Sequence, residues 1–593
     1  MKNKLFEWEL GDWDPHPQIS QAYEPLPDEP HDMTQPPAHY FISSGHNSYL
    51  SGNQLWSRST NKVIIKSLQE SCRVIELDCY NQQLGFSGPI VKHGGTLTAP
   101  ISFKSCVEAI GANAFKASPY PVVVTLENHT DTKNQKMMAS ILRQVLGDKL
   151  YIPTEEDRHG DWKSPEQLKG KVIIRANAGS ACDELKSVVY LINVKFKSLE
   201  EANASESATT SSFNEYKVDA LTTKAFKHSN ISTDGVTNTF KAQAGIPGEA
   251  KVEETAKSSK GAAYKKQGQA QDGSAESGAV KQGNSFLVTT EKGETVELHT
   301  THHSPAVNLN MIRAIKKVDD KNQQEREEAE KKKEQGEARS DDIATQVVQT
   351  VGTLQDMYNY TSRHLMRVYP GGLRVSSTNY DPSNAWTLGA SFAALNWQTS
   401  GTSRMLNQAK FSVNNKTGYV LKPSWMRQRG PSTMNPLPHR EPRRLCVTIF
   451  CAHVPQAGQW LCFKDDMYVA LRVRGMPMDC QDVESAAVWN SGRLLLNQKF
   501  YFDIHFPEMA QLALQLKDDD LPGTELDDIL GTFACPISTL NPGLWKINLI
   551  DTKGRRRQYR WLKVGFEWLD EAPTSANGIA NRMERAASPL YSC

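Results

Sequence analysis

The chain has 593 residues, with 68 Lys and Arg against 67 Asp and Glu, for a net charge of +1. That length leaves room for several domains, and the balanced charge argues against a globally basic nucleic-acid binder. Hydrophobic residues make up 38% and aromatics 8%, enough for packed cores, yet the mean hydropathy of −0.54 requires a long polar stretch somewhere.

No window approaches the ~20 apolar residues of a membrane span. The first seven residues, MKNKLFE, lack the apolar centre of a signal peptide, and Lys2 stands where myristoylation needs glycine. Ten Cys occur without a Cys-x-x-Cys pair, which points to reduced core thiols in a cytoplasmic protein rather than to zinc or disulfide chemistry. Any membrane contact is expected to be peripheral.

In chain order, residues 1–38 are rich in Pro, Asp, Glu and Trp without a period and read as an N-terminal arm. From 39 to 227 short apolar runs alternate with helical stretches. The pattern predicts strands at 40–42, 74–78, 121–127, 171–174 and 188–192, and helices at 61–70, 102–115 and 133–146. Such alternation implies a parallel sheet or a βα-type barrel. Residues 228–344 turn polar and read as a flexible insertion. Glu327–Lys331 and Glu328–Lys332 at i,i+4 spacing predict a solvated helix near its end; a passive tether and a regulatory plug are both open. Apolar runs resume over 345–428, with strands expected at 366–369 and 390–396, so the barrel is one domain interrupted by the insertion. A Pro-rich linker, 429–442, leads to 443–570. There Phe500, Phe502, Ile504 and Phe506 share one strand face, and Leu512, Leu514 and Leu516 repeat the pattern, as in an antiparallel sandwich. Residues 571–593 read as a tail.

Glu76 and Asp78 lie two apart on a strand and so point to the same face. Two acids on one face of an apolar run repel unless a cation or an Arg sits between them. Glu127 ends another apolar strand, His46-Asn47 follow the 40–43 run, and His93 follows 89–92. All fall near the C-terminal ends of strands, where barrel active sites are built. Three carboxylates and an amide oxygen form a hard donor set, suited to Ca²⁺ more than Zn²⁺. Two histidines beside it suit proton transfer and stabilisation of an anionic transition state. The chemistry expected is metal-assisted phosphodiester cleavage.

The stretches HYFI (39–42), GHNSYL (45–50), CRVIELDC (72–79), HG (93–94), AFKASPYP (114–121), LENH (126–129) and PEQLKGK (165–171) resemble the X region of eukaryotic phosphoinositide-specific phospholipase C. RVYP (367–370), SSTNY (376–380) and GYVLKP (418–423) resemble its Y region, and the sandwich resembles its C2 domain. The resemblance implies an interrupted TIM-like (βα)8 barrel followed by an antiparallel C2 β-sandwich, a chain of α/β plus all-β class. It implies a Ca²⁺ cofactor held by Asn47, Glu76, Asp78 and Glu127. His46 would stabilise the phosphorus centre, His93 would act as general acid, and Glu76, or else Glu127, as base. Arg367, Tyr369 and Arg175 would bind the head group. The implied reaction releases diacylglycerol and inositol phosphates through a cyclic phosphodiester, in lipid signalling.

The match weakens at three places. The family's second lysine after the 171–174 strand is replaced by Asn177, which removes a charge from the expected 5-phosphate position. The family's phosphate-binding serine falls on Asp219 or on Ser340, depending on which flanking motif fixes the count. The long polar segment follows the 188–196 region instead of preceding it.

Leu55, Trp56, Leu97 and Leu373 match or neighbour the family's apolar rim, which inserts shallowly into lipid. Asp466, Asp518, Asp520 and Asp528 are candidates for a second Ca²⁺ site in the C2 loops. Arg555-Arg556-Arg557 could meet anionic lipid. The expected partner is a phosphoinositide membrane surface, reached by a cytoplasmic monomer that associates peripherally with membrane, the plasma membrane first of all. No nucleic acid is expected, and neither a pleckstrin-homology domain nor an EF-hand pattern is seen. The arrangement is nearest the minimal plant and protist type. Alternatives are a catalytically inactive, lipid-binding scaffold of the same family and a glycerophosphodiesterase-like barrel.

Overall fold

Eight short strands build a parallel barrel in the computed structural model: β1 (Ser44–His46), β2 (Val74–Tyr80), β3 (Val122–His129), β4 (Val172–Ala176), β5 (Val189–Ile192), β6 (Thr210–Asn214), β7 (Leu365–Tyr369) and β8 (Phe392–Asn396). The structure describes residues 25–26, 29–159, 162–179, 181–205, 207–231, 352–454, 467–488, 493–518, 528–551 and 556–569, together with the backbone of 284–289 and 295–300. The hydrogen-bonded order is β5-β4-β3-β2-β1-β8-β7-β6. A single parallel bridge, Asn193 opposite Thr210, brings the two ends of this order together.

Period-two alternation sorts each strand into an outer and an inner face. Ile75, Leu77, Val122, Val124, Val172 and Ile174 point outward and pack on Val107, Ile110, Met138 and Leu142 of the surrounding helices. Val74, Val123, Ile173, Leu191, Leu365 and Phe392 point inward and form an apolar floor. Full burial of each such aliphatic side chain is worth about 1.5–3 kcal/mol. Above that floor the inward positions become polar, and there the functional residues begin.

The helices start where their sequences cap them. Between β1 and β2 lies α1 (Asn61–Gln69), whose N-cap Thr60 accepts from Lys62 N–H. Helix α2 (Phe103–Asn113) follows β2. Helix α3 (Thr132–Leu146) begins at Asp131, which accepts from Asn134 N–H at 2.8 Å, and ends at Gly147, φ +50°, a conformation that favours glycine. The remaining connections carry α4 (Asp183–Lys186), α5 (Leu199–Ala204), α6 (Glu215–His228), α7 (Leu354–Thr361), α8 (Ser383–Thr387) and α9 (Thr402–Lys410). Helix α7 opens on a reciprocal capping box between Thr353 and Asp356.

The run at Tyr40–Ile42 is a strand, as expected, but not one of the barrel. It pairs antiparallel with Tyr419–Leu421. Tyr40 and Tyr419 lie edge to face at 6.0 Å and belong to the floor cluster. Two strands from opposite ends of the catalytic sequence thus close the barrel's N-terminal end.

The C-terminal region is an antiparallel sandwich of C2 type: β9 (Arg443–His453), β10 (Met467–Arg474), β11 (Gln481–Glu484), β12 (Arg493–Ile504), β13 (Gln511–Asp518), β14 (Asp528–Pro536), β15 (Gly543–Ile550) and β16 (Arg556–Leu569). The order β11-β10-β13-β14 continues through the single pair Thr532–Ile550 into β15-β16-β9-β12. Its core alternates as the sequence predicts, with Phe500, Phe502, Ile504, Leu512, Leu514 and Leu516 buried between the two halves. Phe506 departs from that face. It lies past the end of β12 and packs against Trp425 of the barrel, ring centroids 5.6 Å apart.

Within the polar insertion, 284–289 pairs antiparallel with 295–300, from Asn284 opposite Thr300 to Thr289 opposite Thr295. This hairpin belongs to a second compact unit spanning 244–343 and was not expected from composition. The β-forming run Ser285-Phe286-Leu287-Val288 was diluted by its polar surroundings. The charged segment 325–334 lies outside the described residues.

Candidate active site at the C-terminal end of the barrel

Glu76 and Asp78 project from β2 into the barrel, and Glu127 projects from the end of the neighbouring β3, opposite Asp78 in register. One oxygen from each of the three lies within 4.8 Å of the other two. Glu76 is fully engaged: Oε1 accepts from Arg367 Nη2, and Oε2 accepts from Asn47 N–H at 3.1 Å. Burial alone would raise the Glu76 pKa, but Arg367, His46 and the Asn47 amide outweigh it and hold the carboxyl below its usual range. Asp78 is the opposite case. Its Oδ1 is buried with no hydrogen-bond partner, and burial, reinforced by Glu127 and Glu76, pushes its pKa well up. The nearby Tyr49 hydroxyl offsets only part of this. An orphaned buried oxygen among three acids fits a hard divalent cation.

Asn47 follows β1 directly, with φ +42°, a left-handed conformation that asparagine tolerates better than most residues. Its Nδ2 donates to Gln54 Oε1 at 2.9 Å. His46 ends β1 and meets Asn396, the last residue of β8, at 2.9 Å between Nδ1 and Oδ1. Burial lowers the His46 pKa, with Glu76 opposing it in part. His93 lies in the loop after β2, with Nδ1 2.7 Å from the Gln54 carbonyl oxygen. A carbonyl only accepts, so Nδ1 carries the proton and Nε2 is left for chemistry.

The cationic side of the mouth comes from β7 and β4. Arg367 points inward beside Glu76, its guanidinium carbon 5.2 Å from the Tyr369 ring. Arg175 was expected at the head group, yet its guanidinium lies inside the barrel wall. Nε donates to Thr210 Oγ1 at 3.0 Å, and Nη2 to Asn193 Oδ1 at 2.6 Å and Ser212 Oγ at 2.8 Å. Burial, with Arg367 adding to it, brings its pKa down to about 9. Asn177, two residues on, is exposed at the mouth.

Of the two positions weighed for a phosphate-binding serine, the one that is described does not reach the mouth. Asp219 lies within α6 and accepts from Asn384 of α8 at 2.8 Å; burial raises its pKa to about 6. Ser340 lies outside the described residues. The residue that ends β6, opposite Tyr369 in register, is Asn214. Sequence reasoning missed it because counting was anchored across the insertion; the SFNE run that ends a strand and opens a helix was the available signal. Gln54, Ser377 and Asn396 were missed as well, for no spacing rule links loop residues to a site.

The apolar rim residues are brought together. Leu97 N–H donates to the Leu55 carbonyl at 2.8 Å, and Gln54 N–H to the Val375 carbonyl at 2.8 Å. Trp56, Leu97 and Leu373 are exposed, Leu373 at 72%, and Leu55 is partly covered. In the sandwich, Asp518 stands opposite both Met467 and Asp528 in register. Asp466, Asp520 and Arg555 lie outside the described residues, as do the side chains of Asp528, Arg556 and Arg557. Among the described residues no helix is long and apolar enough to cross a membrane.

A parallel barrel with this carboxylate cluster at its C-terminal end, joined to a C2-type sandwich, is the architecture of a lipid-directed phosphodiesterase class. Residues 33–178 match the X domain of phosphatidylinositol-specific phospholipase C, and residues 309–425 match its Y domain. The chain is 31% identical over 553 residues to mouse 1-phosphatidylinositol 4,5-bisphosphate phosphodiesterase eta-2, covering 86% of this chain and 36% of that protein. It is 28% identical over 552 residues to phosphoinositide phospholipase C 6 of Arabidopsis thaliana, covering 90% and 77%. The crystal structure of S. officinalis PLC21 has the same fold, with a TM-score of 0.62 at 20% identity over 92% of this chain and 57% of that one. The chain therefore spans about a third of the animal eta proteins it matches and about three quarters of the plant one. It belongs to the phosphoinositide-specific phospholipase C family.

Proposed function

We propose that the protein is a Ca²⁺-dependent phosphoinositide phospholipase C that cleaves phosphatidylinositol phosphates to diacylglycerol and inositol phosphates. The observation that carries this reading is the buried carboxylate trio with an orphaned Asp78 oxygen, flanked by two histidines whose Nδ1 atoms are fixed as donors. Asn47, Glu76, Asp78 and Glu127 would hold Ca²⁺, which when bound lowers the pKa of the attacking hydroxyl and neutralises phosphate charge.

The inositol 2-hydroxyl oxygen attacks phosphorus while its proton passes to a carboxylate. Glu127 is the better placed acceptor, because both oxygens of Glu76 are already occupied, whereas Glu127 is exposed and meets His129 Nε2 through Oε1 at 3.3 Å. His46, with its Nδ1–H held by Asn396 and its Nε2 protonated, would face the charge that grows on the phosphoryl oxygens. The bond from phosphorus to the diacylglycerol oxygen breaks, and that oxygen takes the Nε2 proton of His93 in its imidazolium form, leaving a neutral ring whose Nδ1–H stays on the Gln54 carbonyl. Water then opens the cyclic phosphodiester with the proton transfers reversed. Tyr369 and Arg367 would bind the inositol ring and its 4-phosphate. Asn177 and Asn214 offer uncharged amides at the mouth, so the 5-phosphate gains little. The rim of Leu55, Trp56, Leu97 and Leu373 would enter the lipid surface of a peripherally bound, cytoplasmic protein.

The test is turnover of phosphatidylinositol, its 4-phosphate and its 4,5-bisphosphate in mixed micelles, with micromolar Ca²⁺ or chelator. Ca²⁺-dependent release of diacylglycerol, at similar rates from the two phosphorylated lipids, is the expected result. Binding without turnover of any lipid would point instead to a scaffold.

A further inference from the structure

The site contains a hydrogen-bond chain whose polarity is fixed from both ends. At one end Ser377 Oγ donates to the Gly52 carbonyl at 2.8 Å. Its only proton is therefore committed, and it must accept from Gln54 Nε2 at 2.7 Å. The Gln54 amide cannot be turned round, so Oε1 faces Asn47 and accepts from Nδ2 at 2.9 Å. That leaves Asn47 Oδ1 as the atom available to a cation. At the other end Asn396 Nδ2 donates to the Thr378 carbonyl at 3.1 Å. Asn396 Oδ1 must then accept, from Gln54 Nε2 at 3.3 Å and from His46 Nδ1 at 2.9 Å. His46 is thereby held with a proton on Nδ1 and with Nε2 free.

We propose that Gln54 is a positioning residue: its buried side-chain amide sets the orientation of the Asn47 ligand amide and, by donating to Asn396 Oδ1, reinforces the Thr378 carbonyl in holding Asn396 as the acceptor of His46 Nδ1. Its main chain adds a third constraint, since its carbonyl holds His93 by Nδ1. Gln54 touches neither cation nor phosphate in this scheme. It acts on the residues that do, and the chain is anchored on two backbone carbonyls whose role as acceptors cannot change. The inference rests on the lipase reading for its consequence in turnover, but its geometric content does not.

The experiment uses the full chain and compares Gln54→Leu, which removes both ends of the amide, with Ser377→Ala, which removes one anchor. Ca²⁺ titration calorimetry, with Asp78→Asn as the blank for binding elsewhere, reads the ligand amide. Histidine-selective ¹⁵N NMR reads His46 Nδ1. Loss of a partner behind a metal ligand weakens metal binding by about 10–100-fold. The expected result is a loss of that size in Gln54→Leu, a smaller one in Ser377→Ala, and a His46 Nδ1 signal that shifts in Gln54→Leu as Asn396 Oδ1 loses one of its two donors. The kcat for lipid should fall while KM stays near the wild-type value, because the rim is untouched. Wild-type Ca²⁺ affinity with an unchanged His46 spectrum in a folded Gln54→Leu protein would overturn the proposal; if that variant does not fold, the same result in Ser377→Ala overturns it. A wild-type protein inactive on all lipids would count against the lipase reading, while the titration and the spectra would still decide the role of Gln54.

Discussion

Asp78 is the residue at which chemistry and stability pull apart. Its carboxylate is buried, lacks a partner on Oδ1 and faces two other acids, so the barrel gains nothing from ionising it until a cation arrives. Relief of one such group is worth on the order of 1–3 kcal/mol. Asp78→Asn should therefore raise the melting temperature of the Ca²⁺-free protein while abolishing turnover and the stabilisation that Ca²⁺ confers. The sign with pH follows from the raised value. Between the unfolded pKa near 3.8 and the raised folded one, the folded state binds the extra proton, so stability from this residue falls as pH rises. Glu76 works the other way: its lowered pKa stabilises the fold above about 4.5 and is lost on acidification. Thermal melts between pH 4 and 7, with and without Ca²⁺, check both; an Asp78→Asn protein less stable than wild type without Ca²⁺ would contradict the account. The acids were legible in the sequence because period two on β2 fixes their common face. The depth of Arg175 was not, since alternation says which way a side chain points and nothing about what lies above it.

At the scale of elements, the connection from Tyr369 to Ser383 does more than join β7 to α8. Glu215, the first residue of α6, receives Arg374 through Nε and Nη2, both at 2.7 Å, and also accepts from Gly371 N–H. This clamp holds up Leu373 at the rim, while Ser377, a few residues on, anchors Gln54. Full burial of a leucine is worth about 1.5–3 kcal/mol, roughly ten- to a hundredfold in partitioning to a surface. Arg374→Leu should therefore depress turnover of lipid in vesicles by about tenfold or more and spare hydrolysis of a water-soluble cyclic inositol phosphate to within about threefold. Equal losses on both substrates would mean that the clamp serves the site and not the rim. The helices expected at 61–70, 102–115 and 133–146 agree with the structure to within a residue or two, because capping residues and apolar runs are local signals, whereas the short, polar strands Ser44–His46 and Thr210–Asn214 were not expected. The clamp could not be expected either, because its partners are far apart in sequence, on either side of the insertion.

At the scale of the whole molecule, barrel and sandwich share a core. Met476, Phe506 and Met509 of the sandwich join Trp386 and Trp425 of the barrel in one buried cluster. Arg474 at the end of β10 reaches Asp381 at 3.0 Å, and Gln515 reaches Thr402 at 2.9 Å. Both contacts fall on the second half of the barrel sequence, so the sandwich is tied to the part of the chain that follows the insertion. The place where the chain leaves the barrel lies beside the place where it comes back: Ser229, just after α6, accepts from Leu354 N–H at the start of α7, at 2.8 Å. The entropy of closing a long loop grows only slowly with its length. In an engineer's vocabulary this is a splice point. Two polypeptides, 1–231 and 352–593, co-expressed without the intervening segment, should find each other and restore Ca²⁺-dependent turnover, with co-purification as the readout. Fragments that each remain soluble yet fail to associate would show that covalent continuity matters there. The same joint would accept an unrelated ligand-binding domain, making the barrel a reporter of whatever that domain senses.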